Sequence, residues 1–154
     1  MGLDASSLPS PAASSDAIAR VMRGNRGRDT RPEMRVRRAV WSMGMRYRVG
    51  IRPIPSLRRT ADLVFTRARV AVFVDGCYWH GCPAHYRPAR LNAEFWASKI
   101  EGNRRRDVET DLRLREAGWT VLRIWEHEGA AVAADRVRAA VATARALVES
   151  SLAH

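Results

Sequence analysis

No stretch of the 154-residue sequence approaches the roughly eighteen consecutive apolar residues of a membrane span. Met1 to Asp16 is rich in Ser, Ala and Pro and lacks the basic start and apolar core of a secretory signal. These absences predict a soluble, intracellular protein. Cysteine is scarce: Cys77 and Cys82 are separated by four residues with no secretory context, which argues against a disulfide framework and for a metal site. Lysine is scarcer still, since Lys99 is the only one. No internal repeat is present, and the length suits one domain with a real core rather than two.

What the sequence has in excess is arginine. The formal net charge is +11 and the isoelectric point about 11.3, a balance that favours a polyanionic partner, nucleic acid ahead of a membrane surface. Arginine suits bidentate contacts to phosphate and guanine, and it equally follows codon bias. Residues 1–17 read as a disordered leader. Ser15 to Arg31, carrying Arg20, Arg23, Arg26 and Arg28, reads as an arm along DNA or as a solvated basic segment.

Asp29 or Thr30 is placed to cap a helix from Pro32 to Gly44, with Val36, Ala39, Val40 and Met43 as its apolar stripe. Tyr47 to Val49 reads as a short strand. Asp62–Phe65 and Val70–Val74 read as a hairpin across a basic turn, the second strand apolar on both faces and so covered by helices on both sides. Asn92 is placed to cap a long helix that ends near Ala117 before Gly118, with a strand over Trp119–Trp125 after it. A last helix spans Ala130–Leu147, with Val137, Ala140, Val141, Ala144 and Val148 on its packed face. The predicted class is α/β (α+β), with a central mixed sheet between helices in three layers.

Three constellations carry chemistry. Cys77, Cys82 and His85 form a C-x4-C-x2-H run and His127 follows the last strand, a thiolate and imidazole set suited to structural Zn²⁺. His80 lies in the same run and competes for a ligand position, so five candidates leave one histidine free. The second constellation is acidic: Glu33, Asp62, Asp75 and Asp107. Phosphodiester cleavage needs Mg²⁺ or a similar hard cation on oxygen ligands and a group that activates water. Many restriction-type nucleases place an acid-x-lysine on the second strand, but Val74-Asp75-Gly76-Cys77 has no lysine. Another base must serve, and His80 has the right intrinsic range. The third constellation is aromatic, with Tyr78, Trp79 and Trp96 suited either to core packing or to wedging between base pairs.

In order along the chain stand Arg26-Gly27-Arg28-Asp29-Thr30-Arg31-Pro32-Glu33, Ala61-Asp62-Leu63-Val64-Phe65 and Val72-Phe73-Val74-Asp75-Gly76-Cys77-Tyr78-Trp79-His80. Glu94-Phe95-Trp96 with Lys99-Ile100, Asn103 with Arg106-Asp107, and Gly118-Trp119 through Ile124-Trp125-Glu126 follow. Together, from about Ser15 to Glu128, they resemble the very-short-patch-repair (Vsr) DNA mismatch endonucleases. The resemblance implies a restriction-endonuclease-like fold in one domain, residues 18–150, that nicks one strand beside a T:G mismatch left by 5-methylcytosine deamination. It implies Mg²⁺ on Asp62 and the backbone carbonyl of Val74, His80 activating water, and Glu33 and Asp107 organising waters at the scissile phosphate, Asp107 also being placed to orient His80. Structural Zn²⁺ maps onto Cys77, Cys82 and His127. The family varies at the remaining ligand, where His85 is inferred from this sequence. Tyr78, Trp79 and Trp96 match an aromatic wedge, with Met22 entering from the opposite groove.

Two departures stand out. Ala61 occupies a position usually held by proline, after the basic loop Leu57-Arg58-Arg59-Thr60, and the leader is long and Ser/Pro-rich. Asp75 matches a variable position and ranks below Asp62 as a metal ligand. The expected partners are double-stranded DNA with a T:G mismatch and mismatch-repair proteins, for a monomer in the bacterial cytoplasm at the nucleoid. The rivals are a nuclease of the same fold that cuts modified or ordinary duplexes in defence, and a non-catalytic zinc-stabilised DNA-binding module.

Overall fold

The computed structural model describes residues 29–154. The leader, Met22 and most of the basic segment lie outside the described residues. Helix α1 (Arg31–Ser42) starts where the Thr30 side chain accepts from Glu33 N at 3.4 Å and the Glu33 carboxylate reaches back to Asp29 N at 2.9 Å. These two bonds satisfy backbone donors that a helix start leaves free. Val36 and Val40 are buried as expected, whereas Met43 falls beyond the last turn and is 38% exposed.

Strands β1 (Arg48–Ile51), β2 (Ala61–Phe65), β3 (Val70–Asp75) and β4 (Thr120–Trp125) form one sheet in the order β1-β2-β3-β4. The first three are antiparallel, and β3 and β4 are parallel. Helix α2 (Ala93–Glu116) makes the crossover between the parallel pair, and α3 (Ala130–Leu152) closes the chain. Tyr47 and Trp119 lie just outside the strands expected to hold them.

Because side chains alternate across a strand, β3 serves two layers. Val70 and Val72 join Leu63 and Phe65 against α1 and α3, through Val36, Val40, Val137 and Val141. Ala71 and Phe73 join Val64 and Leu114 of α2 on the other face. Helices thus cover both faces of a mixed α/β sheet, as the doubly apolar β3 predicts.

Two helix details differ from expectation. Asn92 sits in the left-handed region (φ 55°) and makes no capping bond with its side chain. Helix α3 continues to Leu152, and Val148 is 40% exposed because the helix has by then run past the sheet that covers Val137 and Val141. No helix among the described residues is long and apolar enough to cross a membrane.

Candidate active site

Parallel pairing decides where chemistry gathers. Asp75 pairs with Trp125, so β3 and β4 end side by side and the segments after them leave the sheet together. Glu126 N continues the ladder onto Asp75 O at 2.9 Å, and Cys77 N donates back to Glu126 Oε1 at 2.9 Å. Two residues beyond each strand, Cys77 Sγ and His127 Nδ1 are 3.2 Å apart. Cys82 Sγ lies 3.7 Å from His127 Nδ1 and 3.8 Å from His85 Nδ1.

The four ligand atoms lie within 4.8 Å of one another. A tetrahedron with bonds of about 2.3 Å to sulfur and 2.0 Å to nitrogen spaces its corners about 3.5 Å apart, which these distances fit. Burial pushes the Cys77 thiol up to about 11, with Cys82 and Glu126 adding to it. Two crowded, buried thiols are the state that a divalent cation relieves.

The second cluster lies on the other side of the same loop. A cleft of about 1190 Å³ is lined by Glu33, Asp62, Val74, Asp75, His80 and Asp107. Register explains Asp62: with Leu63 opposite Val72, it lies beside the end of β3 and accepts from Val74 N at 2.6 Å. Burial pushes its carboxyl up to about 7, against the Val74 N–H, and the neighbouring Glu33 and Asp75 carboxylates add to the rise. Glu33, 4% exposed, enters from the first turn of α1 and is gripped by Arg37, Nη2 to Oε2 3.1 Å.

His80 is placed from above. On α2, Trp96, Ile100, Asn103, Asp107, Thr110 and Leu114 recur at helical spacing; its ends pack apolar residues, and its middle turns Asn103 and Asp107 into the cleft. Asp107 Oδ2 lies 2.5 Å from His80 Nδ1. A carboxylate only accepts, so Nδ1 carries the proton, and in the neutral imidazole Nε2 keeps its lone pair. Burial pulls the His80 pKa down, but the Asp107 hydrogen bond and the Asp75 and Asp107 charges leave it above the ordinary value.

The loop between the clusters is braced by α2. Asn103 Nδ2 donates to Trp79 O at 2.8 Å and Arg104 Nη2 to Gly81 O at 2.7 Å. Gly81 has φ 61°, and a Cβ there would collide with the Arg104 guanidinium. Tyr78, Trp79 and Trp96 form one aromatic cluster, with centroids 5.2 to 6.4 Å apart. Tyr78 and Trp79 are half-buried at the cleft, but Trp96 is only 5% exposed. It backs the other two rings rather than presenting a face of its own.

Sequence reasoning missed Arg123. It stands opposite Phe73 on β4, stacks 4.5 Å over that ring and binds Asp75, Asp107 and Asp111. A single charge in the middle of Thr120-Val121-Leu122-Arg123-Ile124-Trp125 was the available signal. Asp75, ranked low as a metal ligand, is the buried partner of this arginine.

The family model described as DNA mismatch endonuclease Vsr matches residues 14–85. The type II nicking enzyme V.NaeI of Lentzea aerocolonigenes is 42% identical over 120 residues, 77% of this chain and 72% of that protein. The type II nicking enzyme V.NmeDIP of Neisseria meningitidis serogroup C is 41% identical over 125 residues, 78% and 82%. The chain belongs to the Vsr family. It is a DNA endonuclease.

The DNA mismatch endonuclease Vsr of Escherichia coli K12 is more distant, 34% identical over 106 residues, 68% of this chain and 66% of that protein. The span matched by the Vsr model holds Glu33, Asp62 and the whole run from Val74 to His85. Asp107, Arg123 and His127, supplied by α2 and by β4 and its following turn, complete the two clusters from outside that span.

Proposed function

We propose that this Vsr-family endonuclease nicks one strand of duplex DNA at T:G mismatches, with Mg²⁺ at Asp62 and structural Zn²⁺ at Cys77, Cys82, His85 and His127. The observation that carries the reading is the joint placement of a carboxylate pair, Asp62 and Glu33, and a His80–Asp107 dyad on the walls of one cleft. Binding alone requires neither. The fold reading is the restriction-endonuclease-like one, with catalytic groups at the end of a hairpin.

Asp62, held near neutrality by burial and like charge, is a seat that a hard cation would stabilise. Val74 turns its N–H to Asp62, and a strand residue projects its carbonyl to the same side, where it would be the second ligand. When bound, Mg²⁺ supplies positive charge against the charge building on the phosphate. His80 Nε2 takes the proton of the attacking water while Asp107 steadies Nδ1. The water oxygen bonds to phosphorus, the bond to O3′ breaks, and that oxygen takes up a proton, giving 5′-phosphate and 3′-hydroxyl ends.

Tyr78 and Trp79 are the residues that would meet unstacked bases, with Trp96 behind them. The Trp79 indole N–H is buried without a hydrogen-bond partner among the described residues, a state that costs about 1–3 kcal/mol. A cluster carrying that cost is suited to rearranging on DNA. Arg58 and Arg59, exposed at the mouth of the cleft, would hold backbone phosphates.

The relatives' names, type II nicking enzymes, support cleavage of one strand. The test is nicking of a pooled library of T:G duplexes with Mg²⁺, beside matched and methylated duplexes, read by sequence. Preference for T:G supports the proposal. Equal cutting of matched duplexes would replace it with a defence nuclease, and binding without nicking on any duplex with a DNA-binding module.

A further inference from the structure

His80 has carboxylates on both sides. Asp107 holds Nδ1 at 2.5 Å, whereas Asp75 Oδ1 stops 3.8 Å from Nε2, beyond hydrogen-bond distance. Nε2 is the atom that must face water, and a carboxylate swinging onto it would block it. Arg123 prevents the swing. Its Nη1 lies 3.0 Å from both Asp75 oxygens, while Nε and Nη2 lie 2.9 and 2.8 Å from Asp111 Oδ1 on α2.

The guanidinium is planar and fixed on a third side by the Phe73 ring 4.5 Å away, so it has little freedom to follow Asp75 toward the imidazole. The same Nη1 stands 3.5 Å from Asp107 Oδ1, tying the other carboxylate into the lattice. Asp75, His80 and Asp107 place their ligand atoms within 4.8 Å, as a cation site would, and Arg123 is the cation already in contact with both acids.

We infer that Arg123 is a positioning residue: it chelates Asp75 to hold it back from His80 Nε2, keeping that atom open to the attacking water. The inference rests on the reading of His80 as the base. It predicts an unusual pattern, in which removing the restraint harms and removing the restrained group as well repairs.

The experiment compares single-turnover nicking of a T:G duplex at saturating DNA for the wild type, Arg123→Gln, Asp75→Ala and the double variant, with zinc content, DNA affinity and the ¹⁵N shift of His80 Nε2. Arg123→Gln should slow nicking about 100-fold, within the usual range for general-base catalysis, with DNA affinity unchanged and the Nε2 shift moved toward that of a protonated nitrogen donating to Asp75. The double variant should recover to within about threefold of Asp75→Ala, and Arg123→Lys should lie between wild type and Arg123→Gln.

Arg123→Gln nicking at the wild-type rate overturns the inference, as does a double variant as slow as Arg123→Gln, which would mark Arg123 as structural. If Arg123→Gln loses zinc or fold, the double variant against Asp75→Ala decides alone, and a tenfold deficit overturns the inference. His80→Ala separates the two levels: retained nicking there defeats the base assignment itself, whatever Arg123 does.

Discussion

Two clusters hang on one short loop and differ in almost every respect. The Cys77, Cys82, His85 and His127 cluster has four sulfur and nitrogen ligands at tetrahedral spacing and draws them from the ends of two strands and the loop after β3. The Asp62, Glu33, His80 and Asp107 cluster, only three residues further at His80, is built of hard oxygens and an imidazole around an open cleft. The first offers four protein ligands, the number a structural zinc site would use. The second leaves room for a phosphate. The difference teaches how a short loop places a reactive side chain: it is held on both sides of His80, at Cys77 and at Cys82, so that the imidazole between them can be aimed into the cleft.

The sharpest way to break that comparison is Asp62→Ala. Nicking of a T:G duplex should fall at least about a thousandfold, as loss of the charge stabilisation at the phosphate implies, while bound zinc stays at the wild-type level and the melting temperature does not fall. Retained nicking would refute the metal seat. Cys77→Ser is the opposite probe. It should lose zinc and lower the melting temperature by roughly 10 °C, since metal binding is folding energy in such sites, with nicking lost because the loop under His80 is unfastened. Intact nicking in a zinc-free variant would separate the clusters completely.

A third effect tests the acids without mutation. The Asp62 carboxyl is raised to about 7 in the folded protein, mainly by burial, above an unfolded value near 4. The native state therefore keeps a proton longer than the unfolded state does. The stabilisation is present at low pH and lost as pH rises through about 7. Metal-free protein should melt at a lower temperature at pH 8 than at pH 5.5, and Mg²⁺ should restore most of the difference at pH 8 in the wild type but little in Asp62→Ala. Equal melting at both pH values would deny the strained acid.

Smaller effects sharpen the roles around the cleft. Trp79→Ala should weaken binding to the T:G duplex about 5- to 150-fold, the range for loss of one stacking contact, with zinc retained. Unchanged affinity would leave the ring a packing residue. Arg59→Ala should weaken binding to all duplexes alike and reduce the salt-dependence slope by about one, the signature of a phosphate contact.

The elements were legible because their local signals agreed with their surroundings. The apolar faces of β3 required two covering layers, and Thr30, Pro32 and Glu33 marked the start of α1. Met43 and Val148 carried the right period but lay where no neighbouring layer reaches them, and period cannot report where a partner ends. Asn92 had the right chemistry for a cap and the wrong backbone for one.

The candidate ligands and acids were legible by residue type, and Asp62, His80 and Asp107 do meet at one cleft. Arg123 and Asp111 were not. Their roles come from the register of β4 on β3 and the phase of α2 above it, which join residues far apart in sequence. Trp96 was grouped with the aromatics at the cleft, yet helical phase turns it inward.

The bracing of the loop by Asn103 and Arg104 has an evolutionary consequence. Residues 76–82 are held end to end, with Cys82 N on Cys77 O at 2.8 Å and Gly81 at φ 61°, where a side chain is strained. Insertions and most substitutions there would disturb anchoring and proton transfer at once, so this stretch should be nearly immune to drift. In the segment Pro55–Thr60 only Leu57 is buried, and its other residues bear no such double duty. Lineages that come to read different DNA contexts would have their freedom in that segment, beside a braced loop that cannot follow.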